Sequence, residues 1–132
     1  MPLKIKLVSI MVDDQDKALD FYTNKLGFIK KLEIDMGEHK WISVVSSDSD
    51  YMELGLEPNV GVPEAKVYQK ALLDNGIPAT AFDVDDIETE HKKLVEKGVL
   101  FKSEPKDVGG IKVAILHDTV GNLIQIQQVP KL

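Results

Sequence analysis

Cysteine is absent from the chain, which excludes disulfide staples, thiolate metal ligands and a cysteine nucleophile. Long apolar runs are absent too. No stretch approaches the roughly 20 residues a membrane-spanning helix needs, and Met1-Pro2-Leu3-Lys4-Ile5-Lys6 has no signal-peptide core. Basic residues are the minority: 16 Lys and Arg against 22 Asp and Glu give a net charge of −6. Nucleic acids and anionic membranes are bound largely through Lys and Arg. Neither is therefore expected as a partner, and a cytoplasmic location is the simplest expectation. Tryptophan occurs once, at Trp41. Phosphate-cradling glycine loops, His-Glu-x-x-His and Gly-x-Ser-x-Gly are all missing, which removes the usual nucleotide, zinc-protease and serine-hydrolase readings.

What the chain does have is a repeat. Val12-Asp13-Asp14 closes the apolar run Leu7 to Met11 and opens a helix-like segment ending at Leu26-Gly27. The tripeptide returns 72 residues later as Val84-Asp85-Asp86, before a second helix-like segment ending at Lys97-Gly98. In each copy an Asp can cap the helix by accepting from its free N–H groups, and a glycine stops it. The apolar stripes read Ala18, Leu19, Tyr22, Leu26 in one copy and Ile87, His91, Leu94, Val95 in the other.

Strand signals surround these helices. In the first half they cover 4–12, 28–34, 41–45 and 51–56; in the second, 77–84, 99–102, 111–116 and 123–129. Alternation along the first strand sends Val8, Ile10 and Val12 to the helix and Leu7, Ser9 and Met11 the other way. The expected fold is α+β: two βαβββ modules forming a curled mixed sheet around a cavity. Residues 1–132 make a single domain, with module one at 3–57, a connector at 58–76 and module two at 77–129. In the connector, 64–74 is expected to form a short helix that buries Val67 and Leu72.

These motifs resemble the vicinal oxygen chelate superfamily of glyoxalases, bleomycin-resistance proteins and extradiol dioxygenases. The matching residues are Val12-Asp13-Asp14, Ala18-Leu19, Phe21-Tyr22, Leu26-Gly27-Phe28, Val84-Asp85-Asp86 and the turn Asp118-Thr119-Val120-Gly121-Asn122-Leu123. The resemblance implies a divalent metal held by four inward side chains, two per module. Counted from the tripeptide, those positions fall at Leu7 and Glu53 in module one and at Ala79 and Gln125 in module two. Leucine and alanine cannot coordinate a metal, and a carboxylate with one amide falls short of the usual three or four ligands. No metal ligands and no resident cofactor are therefore expected; an atypical divalent site is the alternative. His39, His91 and His117 lack His or Glu partners at metal-binding spacing.

Glu53 carries the chemistry in this reading. It is expected to point into the cavity with Tyr51 and Gly55, as a ligand acceptor or, in an enzyme, as general base. Gln125, Trp41, Ser9, Met11, Leu7 and Ala79 complete the candidate ligand-binding set. The first functional expectation is a metal-independent small-molecule binding protein of the bleomycin-resistance type, taking a partly apolar, neutral or cationic ligand. The second is a lyase, isomerase or dioxygenase using Glu53. The third is an interaction domain whose cavity is filled by its own side chains. A homodimer is expected in each case.

Overall fold

The structure is a computed structural model that describes residues 2–130. Its contacts divide into two compact units, with the boundary between Lys66 and Val67. Each unit holds a four-stranded mixed sheet and the elements in the order βαβββ.

In the first unit β1 (Leu7–Val12) is followed by α1 (Gln15–Asp20), then β2 (Ile29–Asp35), β3 (Lys40–Ser46) and β4 (Ser49–Pro58), in sheet order β1-β4-β3-β2. β1 runs parallel to β4, and the other pairs are antiparallel. Asp14 caps α1, accepting from Lys17 N at 3.0 Å. The helix widens after one and a half turns into a π-helical turn, Phe21–Lys25, where Leu26 N donates to Phe21 O at 3.1 Å. That wider turn departs from the regular stripe expected of the sequence: it buries Phe21 beside Tyr22 and leaves Leu19 and Leu26 only half-buried.

α1 packs on β3 and β4. Ile10, Val12, Ile42, Val44, Leu54 and Leu56 are buried on that side of the sheet with Ala18 and Tyr22. Full burial of each aliphatic side chain contributes about 1.5–3 kcal/mol. Val8, expected among them, is 46% exposed. Gln15 bridges β3 and β4: its Nε2 donates to Lys40 O at 2.7 Å and Leu56 O at 2.8 Å, and its Oε1 accepts from Lys40 N. At the surface, Lys40 Nζ lies 3.0 Å from both Asp16 and Glu33. Hydrogen bonds from Lys30 and then Lys40 hold the Glu33 carboxyl below its ordinary value, and those to Glu33 and Asp16 hold Lys40 above its own.

The second unit contains β5 (Thr80–Asp83), α3 (Ile87–Glu96), β6 (Phe101–Val108), β7 (Ile111–His117) and β8 (Leu123–Gln128), in sheet order β5-β8-β7-β6. Asp86 caps α3, accepting from Thr89 N at 3.2 Å. Ile87 and Leu94 are buried by α3, and the His91 ring packs edge-on to Phe101 at 4.4 Å. Val95, placed on the stripe from sequence, sits at its margin and is 49% exposed. β6 runs on through Pro105, past the end at residue 102 expected from the sequence. An edge strand with a register shift between Ser103 and Lys106 accommodates a residue that has no N–H to donate.

α2 (Pro63–Asp74) spans the boundary between the units. Its expected buried residue Val67 is 69% exposed, and Gln69 is buried instead. Gln69 Nε2 donates to Val120 O at 3.1 Å and to Asn122 Oδ1 at 3.2 Å, which ties the helix to the β7–β8 turn. In that turn the fully buried Asp118 accepts from Val120 N, Asn122 N and Asn122 Nδ2. Among the described residues no helix is long and apolar enough to cross a membrane.

Candidate functional site

The face of the first sheet turned away from α1 is assembled by register. Leu7 lies directly opposite Glu53, Ser9 opposite Gly55 and Met11 opposite Glu57 across the β1–β4 ladder. Across β3–β4, Val45 pairs with Glu53 and Ser43 with Gly55. Ile34 on β2 pairs with Trp41. Because strand side chains alternate, all these residues share one face.

Glu53 is the best-held polar group there, with its side chain 13% exposed. Ser43 Oγ donates to its Oε1 at 2.8 Å. Lys6 Nζ lies 3.7 Å from Oε2, and is itself fixed by donating to Tyr51 O at 2.6 Å and by lying over the Tyr51 ring at 5.4 Å. Next to Glu53, Gly55 leaves room for the side chains of β1. A Cβ there would stand 2.8 Å from Ser9 Oγ and 3.6 Å from Leu7 Cδ1. Ser9 Oγ donates to Glu57 Oε1 at 3.4 Å. Around these polar groups Leu7, Met11 and Trp41 are 44%, 38% and 47% exposed, so apolar surface frames a paired carboxylate.

In the second unit the residues facing away from α3 are those of Gln125. Gln125 lies opposite Ala81 on β5 and Ile115 on β7. The sequence count paired it with Ala79. Ala79 instead donates its N–H to Leu123 O at 2.8 Å, two residues away along β8. The β5–β8 register therefore differs by two residues from that of β1–β4. Gln125 Nε2 donates to Gln127 Oε1 at 3.0 Å, and Gln127 Nε2 donates to Asp83 Oδ1 at 2.9 Å.

Residues 4–126 match the Glyoxalase/Bleomycin resistance protein/Dioxygenase superfamily. The chain belongs to this superfamily. It is 54% identical over 127 residues to the uncharacterized protein YurT of Bacillus subtilis, covering 96% of this chain and 99% of YurT. Among solved structures, UcmS2 matches with a TM-score of 0.84 at 26% identity, over 96% of this chain and 98% of that one. TnmS3, an antibiotic binding protein from Streptomyces sp. CB03234, shares the fold with a TM-score of 0.74 at 24% identity, over 98% of both chains.

The metal implied by the superfamily resemblance does not fit the residues present. Leu7 and Ala79 carry no donor atom, Glu53 is engaged by Ser43 and Lys6, and the Gln125 nitrogen is committed to Gln127. Among the described residues no group of three His, Asp or Glu side chains converges as a metal site. His91 is taken up by Phe101. His117 stands opposite Leu123 on the Gln125 face, and His39 lies in the β2–β3 turn, its carbonyl accepting from Met36 N.

Four residues of this superfamily member escaped the sequence reading: Ser43, Lys6, Gln127 and Asp83. Alternation could have found Ser43 from Trp41 and Gln127 from Gln125, each two residues away on the same face. Lys6 and Asp83 had no local signal, since their partners come from other strands.

Proposed function

We propose that this protein binds a partly apolar small molecule without a resident metal, each unit offering a polar group on the sheet face turned away from its helix, Glu53 in the first and Gln125 in the second. The observation that carries the reading is the setting of Glu53: a carboxylate fixed by Ser43 and Lys6 among exposed Leu7, Met11 and Trp41. Ligand pockets combine such apolar walls with a few placed polar groups. TnmS3 is described as an antibiotic binding protein, so the fold is one that can hold a small molecule. The reading includes a homodimer, for which the open edges of β1, β2, β5 and β6 are the available pairing surfaces.

Catalysis by the same carboxylate is the second reading. Ser43 occupies Oε1, whereas the nearest partner of Oε2 is Lys6 at 3.7 Å, beyond hydrogen-bond distance. That oxygen could take a proton from a bound substrate in a lyase or isomerase step.

The single tryptophan supplies the test. Titration of the protein with a library of neutral and cationic partly apolar compounds should give saturable changes in Trp41 emission. Glu53→Gln should weaken the hits by about 10-fold or more, the worth of a hydrogen bond to a charged group. A flat response across the library, or equal binding by Glu53→Gln, would overturn the reading. Conversion of a bound compound, lost in Glu53→Gln with binding retained, would establish the catalytic one.

A further inference from the structure

We propose that Asp83 and Gln127 act as positioning residues for Gln125, turning its carbonyl oxygen to the ligand so that this unit reads a hydroxyl or N–H group on the bound molecule. The inference rests on the binding reading above. It begins from a chemical asymmetry: a carboxylate only accepts hydrogen bonds, whereas an amide has one accepting end and one donating end. Asp83 Oδ1 therefore requires the nitrogen of Gln127, which lies 2.9 Å away. That choice leaves the Gln127 oxygen pointing along the strand, where it requires the nitrogen of Gln125 at 3.0 Å. One carboxylate thus sets the direction of two amides.

The consequence falls on Gln125 Oε1. With the nitrogen committed to Gln127, the oxygen is the end left to meet a ligand, and among the described residues it takes no hydrogen bond. The cross-strand neighbours of Gln125 are the apolar Ala81 and Ile115, which offer side-chain donors to neither end. The anchor is exposed while both glutamines are half-buried. A charged group at the solvent edge thereby orients an uncharged reader farther in. Glutamine alone would accept or donate with equal ease; the relay makes it an acceptor.

The test uses the full-length, 15N-labelled protein and two probes of matched shape. 1-Naphthol presents an O–H, while 1-methoxynaphthalene can only accept. The expected result is that 1-naphthol binds about 3- to 10-fold more tightly, the worth of one neutral hydrogen bond. Asp83→Ala and Gln127→Leu should each bring that ratio near 1. Both should move the Gln125 side-chain amide resonances, although Asp83 pairs with Gln127 and not with Gln125. Gln125→Glu should keep the preference, because it keeps the acceptor. A merely structural role for Asp83 would weaken both probes equally and preserve the ratio, which would overturn the proposal; Gln127→Leu supplies the same test should Asp83→Ala fail to fold. Binding without preference in the unmodified protein overturns the donor assignment alone. No binding of either probe overturns the binding reading together with it.

Discussion

The Ser43 hydroxyl, none of its surface exposed, donates to Glu53 Oε1 at 2.8 Å on a diagonal between antiparallel strands. Ser43 is paired with Gly55 and Glu53 with Val45, so the bond crosses two register positions. The Glu53 carboxylate is therefore held from a neighbouring strand by a group that solvent does not reach.

Glu53→Leu should cost about 1–3 kcal/mol, because it strands a buried hydroxyl. Glu53→Gln should stay within about 1 kcal/mol of the unmodified protein: an amide oxygen can still accept from Ser43. The lost ion pair is worth little, since the Lys6 side chain is 48% exposed. Urea denaturation of both variants checks the ordering, and equal losses would contradict the role given to Ser43.

The surface network around Lys40 predicts a pH response at both extremes. Glu33 is held below its ordinary 4.5, so its contribution is complete above that value and is lost as pH falls through the lower folded-state value. Lys40 is held above its ordinary 10.5, so its contribution is complete below that value and is lost as pH rises through the higher folded-state value. Melting temperatures across the acid and alkaline limbs should fall less steeply in Lys40→Met. Added salt should shrink the difference, and identical slopes in the two proteins would refute it.

Gly121 has φ 104°, and a Cβ there would stand 2.9 Å from the Gln69 Cδ. Gly121→Ala should destabilise by more than the roughly 1–2 kcal/mol of left-handed backbone strain, since Gln69 must release Val120 or Asn122. Gly109, at φ 64° with open space around it, should show only the strain. Chemical denaturation of Gly121→Ala and Gly109→Ala provides the comparison, the first expected to lose more.

Soaking the purified protein with Mn, Fe, Ni or Zn and then dialysing should leave well under one metal per chain by elemental analysis. A chelator should not alter its melting temperature. Stoichiometric retention of any of these metals would contradict the donor set described at Leu7, Glu53, Ala79 and Gln125.

Much of the architecture was legible because it rests on local chemistry. The Asp of each Val-Asp-Asp motif that caps a helix does so through a residue three positions on, Lys17 or Thr89. Glu53 was singled out by the position the superfamily resemblance implies, and its side of the strand follows from alternation with the buried Leu54 and Leu56. The strand expected at 99–102 extends to Val108 because a proline such as Pro105, forbidden in a central strand, is tolerated at the edge β6 occupies. Val67 misled because a helix tied down through Gln69 buries a polar side chain and exposes an apolar one.

By itself the sequence determined the order of elements, the helix caps, the side of the strand that Glu53 and Gln125 take and the absence of metal donors at Leu7 and Ala79. Each follows from residue type and from neighbours a few positions away. Only the tertiary structure decided which residue stands opposite which. Ala81, not Ala79, faces Gln125, and a two-residue slide is invisible to the hydrophobic pattern because strand side chains repeat every two residues. Ser43 and Lys6 meet Glu53, and Asp83 meets Gln127, from separate segments of the chain. Those meetings are set by backbone ladders between distant segments, so no local pattern could carry them.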